Sequence, residues 1–252
     1  MVDIQSGYGK ISVFEDFTSP ENDETWVAGG FAVGNVSVTS VNEGTIEYTV
    51  DESGGILALT TDTADNDNVA LYVTPMRPAD GRMVLEVRVK TDAVTTTAIF
   101  AGFSETLAID TPVMPAEYAT ATMTYNGTGG IVGAVWDPDA TTNVWRSALG
   151  DGGAISGTSS TVGGVAATSL PVVVSAGVAV NNVWDVIRCE VGNDGSGLVS
   201  VNGVILEERA AVVTATDLLH PVVMFENRDG SANVVEIDYF AALGGRNWSN
   251  GA

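Results

Sequence analysis

The chain has 252 residues, 45% of them hydrophobic, with 32 acidic against 10 basic side chains, one cysteine and a formal charge of −22. Such a surface has no basic patch to displace counterions from a phosphate backbone or an anionic head group, which excludes nucleic acid and membrane surfaces as direct partners. A single cysteine allows no intrachain disulfide, so stability rests on packing in a chain long enough for one large β-sandwich or barrel.

In chain order, residues 1–25 read as an N-terminal arm or docking segment. They carry Gly, Ser, Asp and Pro without a sustained period, yet Val13, Phe14 and Phe17 require burial on this fold or on a partner. The opening run MVDIQSGYGKISVFEDF has no apolar core of signal-peptide length, and no later segment approaches a membrane span, so folding in a cytoplasm is expected. The body, residues 26–243, is a succession of short alternating runs: 44–50, 55–61, 69–73, 82–91, 97–103, 119–125, 130–137, 170–176, 184–191, 198–201, 204–208, 222–226 and 234–241. About a dozen such runs, punctuated by Gly, Asn, Asp and Pro, predict an all-β fold of two packed antiparallel sheets. In 82–91, Met83, Leu85, Val87 and Val89 take the core face and Glu86, Arg88 and Lys90 the wet one.

From 126 to 171 the composition shifts to Gly, Ser, Thr and Ala, which reads as a long insertion or several loops. The clearest local signal spans 184–209. Ile187, Cys189 and Val191 alternate with Arg188 and Glu190, a Gly- and Asp-rich loop reverses the chain at 192–197, and Asn202-Gly203 predicts a type I′ turn because both residues tolerate positive φ. The only helical turn expected is at 214–219, capped by Thr214 or Thr216 and stopped by Pro221. Residues 244–252 form a peripheral C-terminal tail.

Few residues announce a chemistry. Trp136 and Trp145 bracket Asp137-Pro138-Asp139; exposed aromatics beside carboxylates stack on sugar rings, which makes them the best carbohydrate candidates, although core or interface packing is the reading large aromatics favour. Glu236 and Asp238, two apart on a strand, put two carboxylates on one face. Asp62, Asp65 and Asp67 share an acidic loop and Asp229-Gly230 lies in another, but without EF-hand spacing they read as solvated turns, and no metal or cofactor is expected. Cys189, on an apolar strand face without a neighbouring cation, reads as a small buried hydrophobe, and His220 as structural. Phosphate-loop, GxSxG, HExxH and CxxC patterns are missing.

WDVIR at 184–188, a Gly/Asp hairpin, VSVNGV at 199–204 and VEIDYF at 235–240 together resemble the concanavalin A-like lectin/glucanase jelly roll, including laminin-G-type domains. The resemblance implies a two-sheet antiparallel jelly-roll sandwich. Its retaining glycosidases carry Glu-x-Asp-x-x-Glu or Glu-x-Asp-x-Glu on the late strand, whereas here Phe240 and Ala241 stand where the third acid would be, so the two-carboxylate mechanism fails and no enzyme is expected. Glu236 and Asp238 then pair with Arg88 or Arg188 across the sheet.

The fold without a catalytic set, with a Gly/Ser/Thr/Ala-rich body and an aromatic-bearing arm, is similar to structural proteins of tailed bacteriophages. That similarity implies a virion structural protein assembled in the host cytoplasm: a capsid decoration or cement protein gripping the major capsid protein or other virion proteins through Phe14 and Phe17, and forming a homo-oligomer. The alternative is a lectin-like module of a phage fibre or cell-surface protein that binds a glycan through Trp136, Trp145, Glu236 and Asp238; a jelly-roll glycoside hydrolase stands third.

Overall fold

A computed structural model describes residues 10–18, 24–26, 29–33, 36–40, 44–49, 54–107, 113–120, 122–127, 129–141, 144–151, 161–162, 165–166 and 179–245. The strands are β1 (Lys10–Glu15), β2 (Glu24–Trp26), β3 (Gly29–Val33), β4 (Val36–Ser40), β5 (Gly44–Thr49), β6 (Ile56–Thr61) and β7 (Asn68–Tyr72). Next come β8 (Met83–Thr91), β9 (Thr97–Ser104), β10 (Ala116–Ala119), β11 (Thr122–Tyr125), β12 (Ile131–Trp136), β13 (Arg146–Gly150), β14 (Thr161–Val162) and β15 (Val165–Ala166). The chain closes with β16 (Asp185–Val191), β17 (Gly197–Val201), β18 (Val204–Arg209), β19 (His220–Asn227) and β20 (Val234–Gly245).

Two large antiparallel sheets stack face to face as a jelly-roll sandwich. One runs β18-β17-β16-β8-β20-β6-β5-β2 with β1 added on β20, and the other runs β13-β12-β9-β19-β7-β4-β3. Met83, Leu85, Val87 and Val89 are all buried, as the alternation of their strand requires, and meet Ile99, Phe103, Val223 and Phe225 from the second sheet. The predicted meander is present as β16, β17 and β18. Asn202 and Gly203 both take positive φ, 51° and 77°, so the turn chemistry read from the sequence fixes this register.

The arm docks on its own sandwich. Lys10–Glu15 pairs with Phe240–Gly245, continuing the edge of β20 that β6 occupies over Val234–Ile237. Phe17 is 1% exposed and belongs to the inter-sheet core. Its carbonyl oxygen lies where a Cβ on Gly55 would come within 1.8 Å, so only glycine lets the two segments approach this closely. Phe17, expected as an assembly contact, is therefore core: the chain bends through φ 45° to turn the ring inward and bury its apolar area.

Three other expectations are corrected. Of residues 126–171, read as a long insertion or several loops, 131–136 and 146–150 are the paired strands β12 and β13 of the second sheet, with the expected run 130–137 seen as IVGAVW buried on both faces. The run expected as one strand at 119–125 is the hairpin β10–β11, with Thr120 at φ 62°. At 214–219 there is a turn in place of a helical one. Leu219 exchanges both backbone hydrogen bonds with Met76 at 2.9 Å, which pulls the chain out of a helical path. A 3-10 turn forms at Pro78–Asp80 instead, and no helix among the described residues is long and apolar enough to cross a membrane. Of the expected tail 244–252, Gly244 and Gly245 end β20 and pair with β1, while 246–252 and the candidate strand at 170–176 lie outside the described residues.

The hairpin β10–β11 has a positional consequence. Its Met114, Tyr118, Met123 and Tyr125 pack on Phe100, Val135 and Met224, which point away from the inter-sheet core. The hairpin thus covers part of the outer face of the seven-stranded sheet, while among the described residues nothing covers that of the nine-stranded sheet.

Candidate functional site

Trp136 and Trp145 are not sugar platforms. They are 0% and 1% exposed, with ring centroids 6.0 Å apart, and each indole N–H is satisfied internally: Trp136 donates to the Val94 carbonyl and Trp145 to Asp185 Oδ2, both at 3.0 Å. Trp136 ends a strand buried on both faces, where so large an apolar surface is most stable inside. Core packing is the outcome for both.

Glu236 and Asp238 are on the open face of the nine-stranded sheet. A bulge between Ile237 and Tyr239 breaks the period-two alternation, so Asp238 and Tyr239 both face outward. Asp238 accepts from Arg88 at 2.6 Å, one of the two expected partners, but Glu236 pairs with Lys90 in place of either arginine, because the register of β20 on β8 sets it opposite Lys90. Trp184, a residue whose role the sequence did not suggest, lies across both cations, its ring centre 4.5 Å from each charged group. The two carboxylates are therefore neutralised in place.

The ladder of charges continues across the face. Arg188 donates to Glu86 at 2.9 Å and to Glu190 at 2.7 Å, Arg82 pairs with Glu190, and the Tyr239 hydroxyl donates to Glu86 at 3.0 Å. Burial and the Glu86 carboxylate push the Tyr239 hydroxyl up to about 12, keeping it a proton donor. On β1, Ser12 and Phe14 face outward while Ile11 and Val13 pack on the core. Phe14, 56% exposed, stacks on Tyr239 with centroids 6.2 Å apart.

A second polar constellation sits where the covering hairpin meets the seven-stranded sheet. Arg228 donates to Glu226 at 2.5 Å, to Asp137 at 2.7 Å and to Glu117 of the hairpin at 3.3 Å. Asp137 also accepts the Tyr118 backbone N–H at 2.7 Å. Burial disfavours the guanidinium charge, but Glu226, Asp137 and Glu117 together outweigh it and keep Arg228 protonated. Burial pushes the Glu226 carboxyl up to about 7 despite Arg228 beside it. This constellation clasps the hairpin, and its centre is already filled by a guanidinium.

The acidic loops serve their own backbones. Asp62 accepts from the Ala64 N–H at 2.6 Å, Asp67 from the Asp62 N–H at 3.0 Å, and Asp229 from the Ser231 N–H at 3.0 Å. Among the described residues no three His, Cys, Asp or Glu side chains are grouped to hold a metal ion. Cys189 is fully buried against the Ala101 carbonyl, and burial pushes its thiol up to about 12, far from a reactive thiolate. His220 contacts the Val73 carbonyl at 3.1 Å.

No protein-family model matches the chain, and no curated protein does. The fold does match solved structures. A protein of unknown function, SO2946 from Shewanella oneidensis MR-1, is 12% identical with a TM-score of 0.55, covering 98% of this chain and 91% of that one. The carbohydrate recognition domain of Emp47p is 13% identical, TM-score 0.53, covering 93% and 95%. Peanut lectin is 13% identical, TM-score 0.50, covering 88% and 97%. The fold is therefore the concanavalin A-like jelly roll, spanning nearly the whole chain.

Proposed function

We propose that this chain is a non-catalytic carbohydrate-binding module. The observation that carries the reading is the likeness, over 93% of the chain, to the carbohydrate recognition domain of Emp47p, seconded by that to peanut lectin. The pairing of Glu236 with Lys90 and of Asp238 with Arg88, with Phe240 and Ala241 where a third acid would stand, supports the absence of hydrolysis. The likenesses give no support to a place on a virus particle, and with Phe17 buried only Phe14 of the two expected capsid contacts reaches solvent.

A glycan array probed with the full chain, together with reducing-sugar release from the bound glycans, tests the proposal. Retention of one glycan class without turnover is expected. Turnover that disappears in Glu236→Gln would establish a hydrolase instead, and a blank array would refute carbohydrate binding.

A further inference from the structure

One row of side chains crosses four strands of the open face. Phe14 of β1 is in register with Ala241 of β20, Ala241 with Glu86 of β8, and Glu86 with Arg188 of β16. Ala241 is the small member of that row, and it leaves a well between the Phe14 ring on one side and the Glu86–Arg188 pair on the other. Along β20 the well is closed by Leu243, which faces outward beside Ala241, and Ser12 of β1 and Val84 of β8 complete the lining. It holds about 290 Å³, at the small end of ligand sites, which run from ~300 Å³. That suits one ring.

The walls differ in kind. Phe14 presents a flat apolar face and is braced from behind by its stack on Tyr239. Opposite, both Glu86 oxygens already accept one hydrogen bond each, from Tyr239 and Arg188, and each keeps a lone pair for another. Arg188 uses Nε and Nη1 on Glu190 and Glu86, and its side chain is 40% exposed. The charges balance: Arg82 and Arg188 stand against Glu86 and Glu190. No surplus charge selects an ion.

We infer that this alanine-floored well seats one neutral pyranose ring, its C–H face on Phe14 and its hydroxyl edge on Glu86 and Arg188. The inference rests on the carbohydrate-binding reading above and adds the site and the ligand class. A pyranose has the required two-sided character, with axial C–H groups on one face and hydroxyls that both donate and accept at its rim. Among the described residues nothing covers this face, whereas the hairpin β10–β11 lies on part of the opposite one.

The test is titration calorimetry of the full chain with the best neutral glycan from the array, compared with Phe14→Ala, Ala241→Leu and Val113→Ser. Phe14→Ala removes the platform and Ala241→Leu fills the well; both positions face solvent, and thermal melts check that each variant stays folded. Val113, 53% exposed beside the hairpin, is a control away from the well. Affinity should fall at least tenfold in the first two variants and stay unchanged in the third. Wild-type binding that Phe14→Ala and Ala241→Leu leave intact would overturn the site and spare the carbohydrate reading. Binding restricted to charged sugars would overturn the ligand class, and no binding to any glycan would overturn both readings.

Discussion

Trp145 and Asp185 show how a single hydrogen bond decides what a residue is for. Asp185 is 9% exposed; its Oδ1 accepts from the Asn202 side chain at 2.6 Å and its Oδ2 from the Trp145 indole at 3.0 Å. A buried carboxylate oxygen that loses its donor keeps its desolvation cost with nothing to offset it. Trp145→Phe, which retains most of the ring area, should therefore destabilise the protein by ~1–3 kcal/mol. Chemical denaturation measures this, and a change within error would mean that water replaces the indole. The same residues tie the Asn202-Gly203 turn to the sandwich, since the Asn202 Oδ1 also accepts the Val186 N–H at 2.8 Å.

Among the elements, the hairpin β10–β11 is held to the seven-stranded sheet by buried charge. Its Glu117 reaches Arg228, and Arg228 holds Glu226 and Asp137 in a buried setting. Glu226 ionises near pH 7 when folded but near its ordinary value of 4.5 when unfolded. Between those two values the folded state binds the extra proton, so the contribution of Glu226 to stability is fully present below about pH 4.5 and is lost as pH rises through about 7. Glu226→Gln removes this titration while keeping an oxygen for Arg228. Melting temperatures across this range should show the wild type losing ground to the variant as pH rises; parallel curves would show that Glu226 does not carry the proton.

On the scale of the whole molecule, β1 is part of the sandwich and its loss is costly. Deleting residues 1–18 would strip one edge from the C-terminal half of β20 and empty the site of Phe17. Burial of a Phe is worth ~3–5 kcal/mol by truncation, which at this chain length corresponds to a fall in melting temperature of roughly 6–20 °C. Differential scanning calorimetry reads this directly. An unchanged melting temperature would show that the N-terminal strand is dispensable to the core.

Local pattern by itself determined the strand class, the alternating core face of Met83 to Val89, and the 184–209 meander with its Asn202-Gly203 turn. Each follows from side chains a few residues apart or from period-two alternation, which the chain states directly. Only the tertiary structure decided which aromatics are exposed. Trp136 and Phe17 went inside because two sheets close over them, while Phe14, three residues from Phe17, stayed out because the register of β1 on β20 points it to solvent. The bulge that turns both Asp238 and Tyr239 outward is likewise invisible to a period of two. The candidate well could not be read at all from the sequence, since Phe14, Glu86, Arg188 and Ala241 lie far apart along it. They form one row because antiparallel pairing of β1, β20, β8 and β16 brings them into line, and strand order and register are properties of the folded sheet, set by the core they enclose.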